Sequence, residues 1–366
     1  MTSARSHRDS TAPVFGVLAG AALALMLSAC AGPAPAPPAP KPPAPVVVAA
    51  PPIALSPRVV EQASAYRAYV ARAGAISPGF TGGGDVAQSL KAGASYEPGQ
   101  LLRGAIAYGA VVALQDPAYV AGVRKFAVDP DQRRTVAYEI MKDPAYAVGF
   151  SGSASAAGLV MTALGDDGRK LLSLGHSVHQ AAYDVQHQAW SKADVPSRDG
   201  RLAMAKEVSA RPGLGEVAET ARLQMAVASA GQISVSGQGG SGQSVGPPYT
   251  PMVIRSLAVA ALAALGYADD ASLAQVTPIL AEPASAVCLN MSKLNLYQCL
   301  AVAKPHYEDV FCLGQHVLED TGHCLMKGAG VPEPVDPRAQ AAAEAALQKA
   351  STATSAVSRS KKRSRN

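Results

Sequence analysis

Several motifs that would assign a chemistry are missing from this chain of 366 residues. No H-E-x-x-H or C-x-x-C-H pattern occurs, so the zincin motif and the haem-attachment motif are excluded. The glycine-rich stretch TGGGD at residues 81–85 is not followed by the Lys and Ser or Thr of a phosphate-binding loop. The sequence therefore predicts no catalytic residue, no cofactor and no metal.

Strand signals are also scarce. No stretch alternates apolar and polar residues over the length of a strand, and after residue 30 no uninterrupted apolar run reaches the 18 residues of a membrane span. Helix starts recur instead, as a capping Asp, Ser or Thr followed by proline. The sequence therefore predicts an all-α bundle or array of about ten helices. These starts are Ser56-Pro57, Asp116-Pro117, Asp129-Pro130, Asp143-Pro144, Thr250-Pro251 and Asp336-Pro337.

The helical patterns fall into two groups along the chain. Residues 101–113 and 254–265 each show apolar side chains at helical spacing. Between them, residues 231–248 are rich in Gly and Ser, which predicts a flexible loop. We therefore expect a helical domain over residues 56–230 and a helical subdomain over residues 249–330. A low-complexity helix and a basic tail are expected to follow at residues 331–366.

The first 30 residues are organised as an export signal. Arg5 and Arg8 precede an apolar run at residues 14–27, and the segment ends in LSAC at residues 27–30. This arrangement resembles the lipobox of bacterial lipoproteins. The resemblance implies that residues 1–29 are removed, that the Cys30 thiol is lipidated, and that the lipid tethers the protein to a membrane of the cell envelope. The alternative is an ordinary cleaved signal peptide with a chance cysteine.

The segment after Cys30 predicts a spacer. Residues 30–55 consist almost entirely of Ala, Pro and Val, a composition that favours polyproline II geometry. At about 3.1 Å per residue, roughly 25 such residues span roughly 75 Å. Ala31 and Gly32 follow the cysteine and no acidic residue does. In the familiar sorting pattern of bacterial lipoproteins this favours the outer membrane, with the folded part on the periplasmic side.

Four of the five cysteines lie between Cys288 and Cys324. The Lys-Pro pair at residues 304–305 interrupts the helical spacing in this stretch and so predicts a helical hairpin. Cys288 and Cys299 are eleven residues apart, about 16 Å along a helix, which is beyond the reach of a disulfide. When two residues face each other across an antiparallel hairpin, the sum of their residue numbers is nearly the same for every facing pair. This favours the nested disulfides Cys288–Cys324 and Cys299–Cys312.

The pattern resembles the twin-cysteine helical hairpins of the mitochondrial intermembrane space. Only the hairpin geometry carries over, because the cysteines here are separated by ten and eleven intervening residues. A zinc site that combines the cysteines with His306, His316 and His323 is the alternative. It lacks the C-x-x-C pair of structural zinc sites, and an oxidising compartment favours disulfides.

The richest group of candidate binding residues is the segment 176–190. His176, His179, Tyr183, His187 and Trp190 are three or four residues apart, so a continuous helix places all five on one face. This candidate ligand face has two interpretations. In the first, the face binds a ligand, or a metal through His176 and His179. In the second, it is a half-buried polar and aromatic surface whose histidines are satisfied by hydrogen bonds. An Asp pair at residues 166–167 is predicted to begin this helix.

Positive charge is concentrated at the C-terminus. The formal net charge is +5, and Arg359, Lys361, Lys362, Arg363 and Arg365 contribute as many positive charges in seven residues. The cluster either stays solvated or contacts an anionic envelope surface such as phospholipid, lipopolysaccharide or acidic glycan. No nucleic-acid partner is expected.

These patterns together predict a non-catalytic envelope lipoprotein, a tethered helical module that binds a partner or has a structural role. The alternative is a periplasmic enzyme, or a metal- or ligand-binding protein, that uses the helical face at residues 176–190.

Overall fold

The chain is helical throughout the part that the computed structural model describes, residues 49–230 and 243–334. This part contains fourteen α-helical segments, three short 3₁₀ segments and one π-helical segment, and no strand beyond an isolated bridge between Asp194 and Pro305. The predicted all-α fold is confirmed for these residues. The α-helices are α1 Pro57–Gly74, α2 Gly83–Ala94, α3 Pro98–Ala113, α4 Pro117–Arg124, α5 Pro130–Lys142, α6 Ser153–Val185, α7 Ala189–Lys192, α8 Arg198–Ala210, α9 Val217–Ala228, α10 Pro251–Leu265, α11 Leu273–Val276, α12 Pro283–Val302, α13 His306–Cys312 and α14 Asp320–Ala329. The 3₁₀ segments are Pro144–Gly149, Asp270–Ser272 and Thr277–Leu280, and the π-helical segment is Leu313–Glu319.

Several predicted features lie outside the described residues. These are the signal peptide with Cys30, the linker up to residue 48, and residues 335–366 with the Asp336-Pro337 helix start and the basic cluster. Residues 231–242 of the predicted loop are also outside them.

Capping side chains followed by proline begin the helices as predicted. The side chains of Ser56, Asp116, Asp129 and Thr250 each accept a hydrogen bond from a backbone N–H of the first turn. Asp143 caps in the same way, but the segment it begins is a 3₁₀ helix and not an α-helix. The local chemistry therefore determines where most helices begin.

Two further helices begin with a glutamate cap that the predicted set did not include. Glu97 accepts hydrogen bonds from the N–H groups of Gly99 and Gln100 at 2.7 and 2.6 Å, ahead of Pro98. Glu282 caps α12 in the same way. Hydrogen bonds from the first turn lower the pKa of Glu282, against the opposing effect of burial. The longer glutamate side chain thus serves the role that Asp or Ser serves elsewhere.

Helices α3 and α10 form the centre of the core. Both are buried on all sides over most of their length, so the predicted apolar stripes belong to helices that are covered completely. Ser256 of α10 donates a hydrogen bond to the carbonyl oxygen of Ile106 of α3 at 3.2 Å. Within the described residues no single helix is both long and apolar enough to cross a membrane, although α3 and α4, bent by 87°, together meet the length and composition requirement.

Helix α6 is the longest helix, with 33 residues, and it supports the C-terminal hairpin. It begins at Ser153, so the Asp pair at 166–167 lies inside the helix and does not begin it, contrary to prediction. Asp167 is buried instead, where it accepts hydrogen bonds from the Tyr66 hydroxyl at 3.0 Å and the Arg67 guanidinium at 2.6 Å. The ion pair that Asp167 of α6 forms with Arg67 of α1 thus decides the position of this carboxylate.

The C-terminal hairpin has the predicted disulfides. Cys288 is bonded to Cys324 and Cys299 to Cys312, and each pair has a Cα–Cα distance of 5.7 Å. One arm is α12, and the other consists of α13, the π-helical segment and α14. The second arm packs along α6.

Candidate ligand-binding groove

Two glycines allow α6 and the π-helical segment to approach each other closely. A Cβ atom on Gly175 would lie 2.6 Å from Cγ of Glu319, and one on Gly314 would lie 2.6 Å from the backbone nitrogen of His179. Any larger residue at either position would force the two helices apart. This crossing places His179 of α6 directly against the π-helical segment.

His179 is positioned by contacts on three sides. Its Nδ1 lies 3.1 Å from a carboxylate oxygen of the buried Glu319. Its ring meets Phe311 edge-on with centroids 4.5 Å apart, and it stacks on Tyr183 with centroids 5.7 Å apart. Its Nε2 is buried, and no hydrogen-bond partner for it lies among the described residues. The imidazole of His179 therefore forms part of the wall of the site, and its Nε2 atom is closed to solvent.

A polar cavity of about 870 Å³ opens beside this histidine. His176, Gln180 and Asp184 line it from α6, together with His179 and Glu319. His176 and Asp184 are exposed, so their side chains are available to a ligand without rearrangement. We refer to this cavity as the polar lobe.

An apolar cavity of about 340 Å³ adjoins the polar lobe, and Tyr183 lines both. Its walls come from the end of α12, from α13 and from α6, and they include the inner disulfide. We refer to this cavity as the apolar lobe. Its lining residues are Ala182, Tyr183, Gln186, Cys299, Val302, Ala303, Tyr307, Glu308, Phe311 and Cys312.

The charged side chains that line the two lobes are carboxylates, so the formal charge of the lining is negative. Asp184 and Glu319 line the polar lobe and Glu308 lines the apolar lobe, whereas the described lining contains no lysine or arginine. Three aromatic rings, those of Tyr183, Tyr307 and Phe311, face the apolar lobe. Carboxylates and aromatic faces both attract positive charge. The groove is therefore suited to neutral or positively charged molecules.

A buried ion pair supports the hairpin turn beside the apolar lobe. Arg201 of α8 pairs with Asp309 of α13, and both side chains are buried. Arg201 also donates to the carbonyl oxygens of Leu300 and Ala303 at the end of α12, where the helix dipole favours positive charge. Burial raises the pKa of Asp309 to about 6, and the hydrogen bond and charge of Arg201 limit that rise.

The structure brings together only part of the predicted ligand face. His176, His179 and Tyr183 share one side of α6 and line the polar lobe. Helix α6 ends at Val185, so His187 and Trp190 are not on the same helical face, contrary to prediction. His187 is exposed beyond the helix end. The Trp190 ring lies 6.3 Å from that of His306.

The zinc alternative is wrong, because all four cysteines are bonded to one another. The three histidines proposed for it are apart as well. His316 Nδ1 lies 3.0 Å from Asp320, His323 Nδ1 lies 2.6 Å from Glu333, and His306 packs near Trp190. Burial and the charge of Arg201 lower the pKa of His306. Among the described residues, no group of three or more His, Cys, Asp or Glu side chains could hold a metal ion.

Sequence reasoning missed the residues that complete the groove: Val302, Tyr307, Phe311 and Glu319. Tyr307 and Phe311 are four residues apart, on a different side of the second arm from Val310 and Val317, which are buried. This pair of aromatic residues at helical spacing was the available signal. Comparison with models of known protein families, with curated proteins and with solved structures found no match to this chain.

Proposed function

We propose that this chain is an exported, lipid-anchored protein of the bacterial cell envelope whose helical part binds a small amphipathic molecule without transforming it. Cys30 would carry the lipid, and residues 31–48 would hold the helical part away from the membrane. The last residues of the predicted linker belong to the helical part instead, because Leu55 is buried and the Arg124 guanidinium donates a hydrogen bond to the carbonyl oxygen of Pro51 at 3.0 Å. The two disulfides of one hairpin support an oxidising compartment. The residues after Cys30 favour the outer membrane and its periplasmic side.

The observation that carries the binding proposal is the contact between an apolar and a polar lobe at Tyr183. Small-molecule sites are concave and mainly apolar, with a few polar groups that orient the ligand. The apolar lobe would take an aromatic or short aliphatic group, and the polar lobe would take a hydrogen-bonding group. The one-sided charge of the lining favours a neutral or cationic ligand over an anionic one.

The geometry of His179 supports binding over proton transfer. A general base must lie within hydrogen-bond reach of the proton that it removes. The Nδ1 of His179 is occupied by Glu319, and its Nε2 is closed to solvent. The pair would therefore shape the wall of the groove, while the exposed His176 would contact the ligand.

Two related fluorescent probes test this proposal. N-phenyl-1-naphthylamine is neutral, and 8-anilinonaphthalene-1-sulfonate has the same ring system with an added sulfonate. We expect the neutral probe to bind the protein with enhanced fluorescence and to bind more tightly than the sulfonate. A protein that binds the sulfonate more tightly would contradict the charge argument.

A matched pair of variants assigns the binding to the groove. Val302 lines the apolar lobe and is 73% exposed, so Val302→Glu should leave the fold intact while it places a carboxylate at the probe. Val217→Glu makes the same change on α9 at a side chain that is 87% exposed. We expect the first variant to weaken binding of the neutral probe and the second to leave it unchanged. Equal binding by both variants would show that the probe binds elsewhere.

A further inference from the structure

Helix α12 exposes apolar residues on the side that faces away from the core. Val287, Met291 and Leu294 are among the exposed large hydrophobic side chains, and Gln298 and Ala301 continue the series. We name these five residues the α12 stripe. The alternating spacing of four and three residues is that of a coiled-coil contact. Isolated exposed apolar residues are ordinary, but an aligned series at this spacing indicates a contact surface.

The stripe is also free of charge. Lys293 is the only charged residue within Pro283–Val302. It points inward, where its Nζ lies 2.6 Å from the carbonyl oxygen of Ala94 and 3.4 Å from the centroid of the Tyr96 ring. Exposed helices usually carry charged side chains that keep them apart from other proteins. The outer face of α12 lacks this protection.

The flanks of the stripe carry opposite charges. On one side, Lys206 of α8 lies 5.9 Å from the centroid of the Tyr297 ring. On the other side, the partly buried Asp320 of α14 accepts a hydrogen bond from Asn295 at 3.2 Å, and the same carboxylate oxygen lies 3.0 Å from Nδ1 of His316. The two charges are therefore at nearly the same height along α12. If two copies pack stripe to stripe with parallel helices, a two-fold axis along α12 places Lys206 of each copy opposite Asp320 of the other.

From this arrangement we infer that the α12 stripe is the contact surface of a parallel homodimer. Gln298, the polar residue of the α12 stripe, favours the parallel orientation. In a parallel pair Gln298 meets Gln298 of the second copy, and the two amides can hydrogen-bond to each other. In an antiparallel pair centred between Met291 and Leu294, Gln298 would face Val287. A single polar residue in an apolar helix contact is a known determinant of register.

The size of the stripe predicts a weak dimer. A helix of 20 residues is about 30 Å long and about 10 Å wide, so its footprint is roughly 300 Å². A stable interface buries about 800 Å² on each partner. Helices α8 and α14 must therefore contribute, which agrees with the charges on both flanks. The stripe shares no residue with the groove, so the dimer and the ligand site are separate proposals.

Sedimentation velocity over a range of concentrations tests the dimer. The protein would be the chain from residue 31 onward, which keeps all the described residues. We expect a reversible monomer–dimer equilibrium that Met291→Lys weakens at least about tenfold, because the interface would bury an unpaired charge. Met225→Lys is the matched control, since Met225 on α9 is 58% exposed and Met291 is 47% exposed. A wild-type protein that stays monomeric, or a Met291→Lys variant that dimerises as the wild type does, would overturn the inference.

A cross-linking experiment tests the orientation and does not depend on the stability of a charged variant. Parallel packing brings Ala301 of each copy next to Ala301 of the other, whereas antiparallel packing places it near residue 284. We expect the new cysteine of the Ala301→Cys variant to form a disulfide with the same cysteine of a second copy under mild oxidation, and peptide mapping would identify this bond. A dimer without this self-linked peptide would contradict parallel packing.

Discussion

Cys288 and Cys324 form a disulfide with their Cα atoms 5.7 Å apart, although the two arms of the hairpin differ in length by one residue. Cys288 precedes Cys299 of the inner disulfide by eleven residues, whereas Cys324 follows Cys312 by twelve. The eleven residues between Cys288 and Cys299 turn an α-helix through about 1100°, close to three full turns. The twelve residues from Cys312 to Cys324 would overshoot three turns by about 120°. The π-helical segment Leu313–Glu319 takes up the extra residue, so that both disulfides form on the same side.

The two disulfides should contribute unequally to stability. They close loops with sequence separations of 36 and 13 residues, and loop-closure scaling makes the outer one worth about 1 kcal/mol more. We expect the Cys288→Ser/Cys324→Ser double variant to lose more unfolding free energy in urea than Cys299→Ser/Cys312→Ser does. The reverse order would show that strain or residual structure outweighs loop entropy.

Arg201 should be essential to the turn of the hairpin. Arg201→Met leaves Asp309 as a buried carboxylate without its partner and removes hydrogen bonds to the end of α12. We expect a loss of about 3–5 kcal/mol in unfolding free energy. Arg134→Met removes an exposed ion pair with Asp131 and should cost less than about 1 kcal/mol. Similar losses in both variants, measured by urea unfolding, would contradict the importance of the buried pair.

Asp309 should make stability depend on pH in the acid range. Its pKa in the folded protein is about 6, against an ordinary value of 3.8, so the folded state binds this proton more tightly. The favourable contribution is complete below about pH 4 and is lost as the pH rises through about 6. We expect the unfolding free energy of the wild type, relative to Asp309→Asn, to fall across this window. Carbon-13 NMR titration of the Asp309 carboxyl measures the pKa directly, and a midpoint below 4 would contradict the account.

The basic cluster and Cys30 make a joint prediction for membrane binding. We expect Cys30→Ser to release the protein from the membrane fraction, and mass spectrometry to find lipid on Cys30 of the wild type. The soluble protein should still sediment with anionic vesicles at low salt and release at high salt, since each basic residue contributes about 1 kcal/mol at such a surface. Removal of residues 359–366 should abolish this binding. Equal binding by the truncated protein would leave the cluster as a solvated end.

The fold was largely predictable because its signals are local. A capping side chain before proline fixes a helix start within four residues, and cysteine spacing restricts the pairing within one hairpin. The errors arose where tertiary contacts decide the outcome. Arg67 and Tyr66 draw Asp167 into the core, so an apparent first-turn acid is an interior one.

The groove was only half predictable, for the same reason. His176, His179 and Tyr183 are neighbours on α6 and follow from helical spacing. Glu319 joins them only because Gly175 and Gly314 permit a close crossing of two elements that are distant in sequence. His187 was misassigned because the helix ends at Val185 without a proline or glycine to mark the position.

The most direct test of the central claim is the position of a bound probe. The claim predicts intermolecular nuclear Overhauser effects between the aromatic protons of N-phenyl-1-naphthylamine and the methyl groups of Ala182, Val302 and Ala303, which line the apolar lobe. The Val302→Glu variant should lose these effects, and the Val217→Glu variant should retain them. Contacts confined to methyl groups outside the groove, such as those of Val287 and Leu294, would contradict the claim.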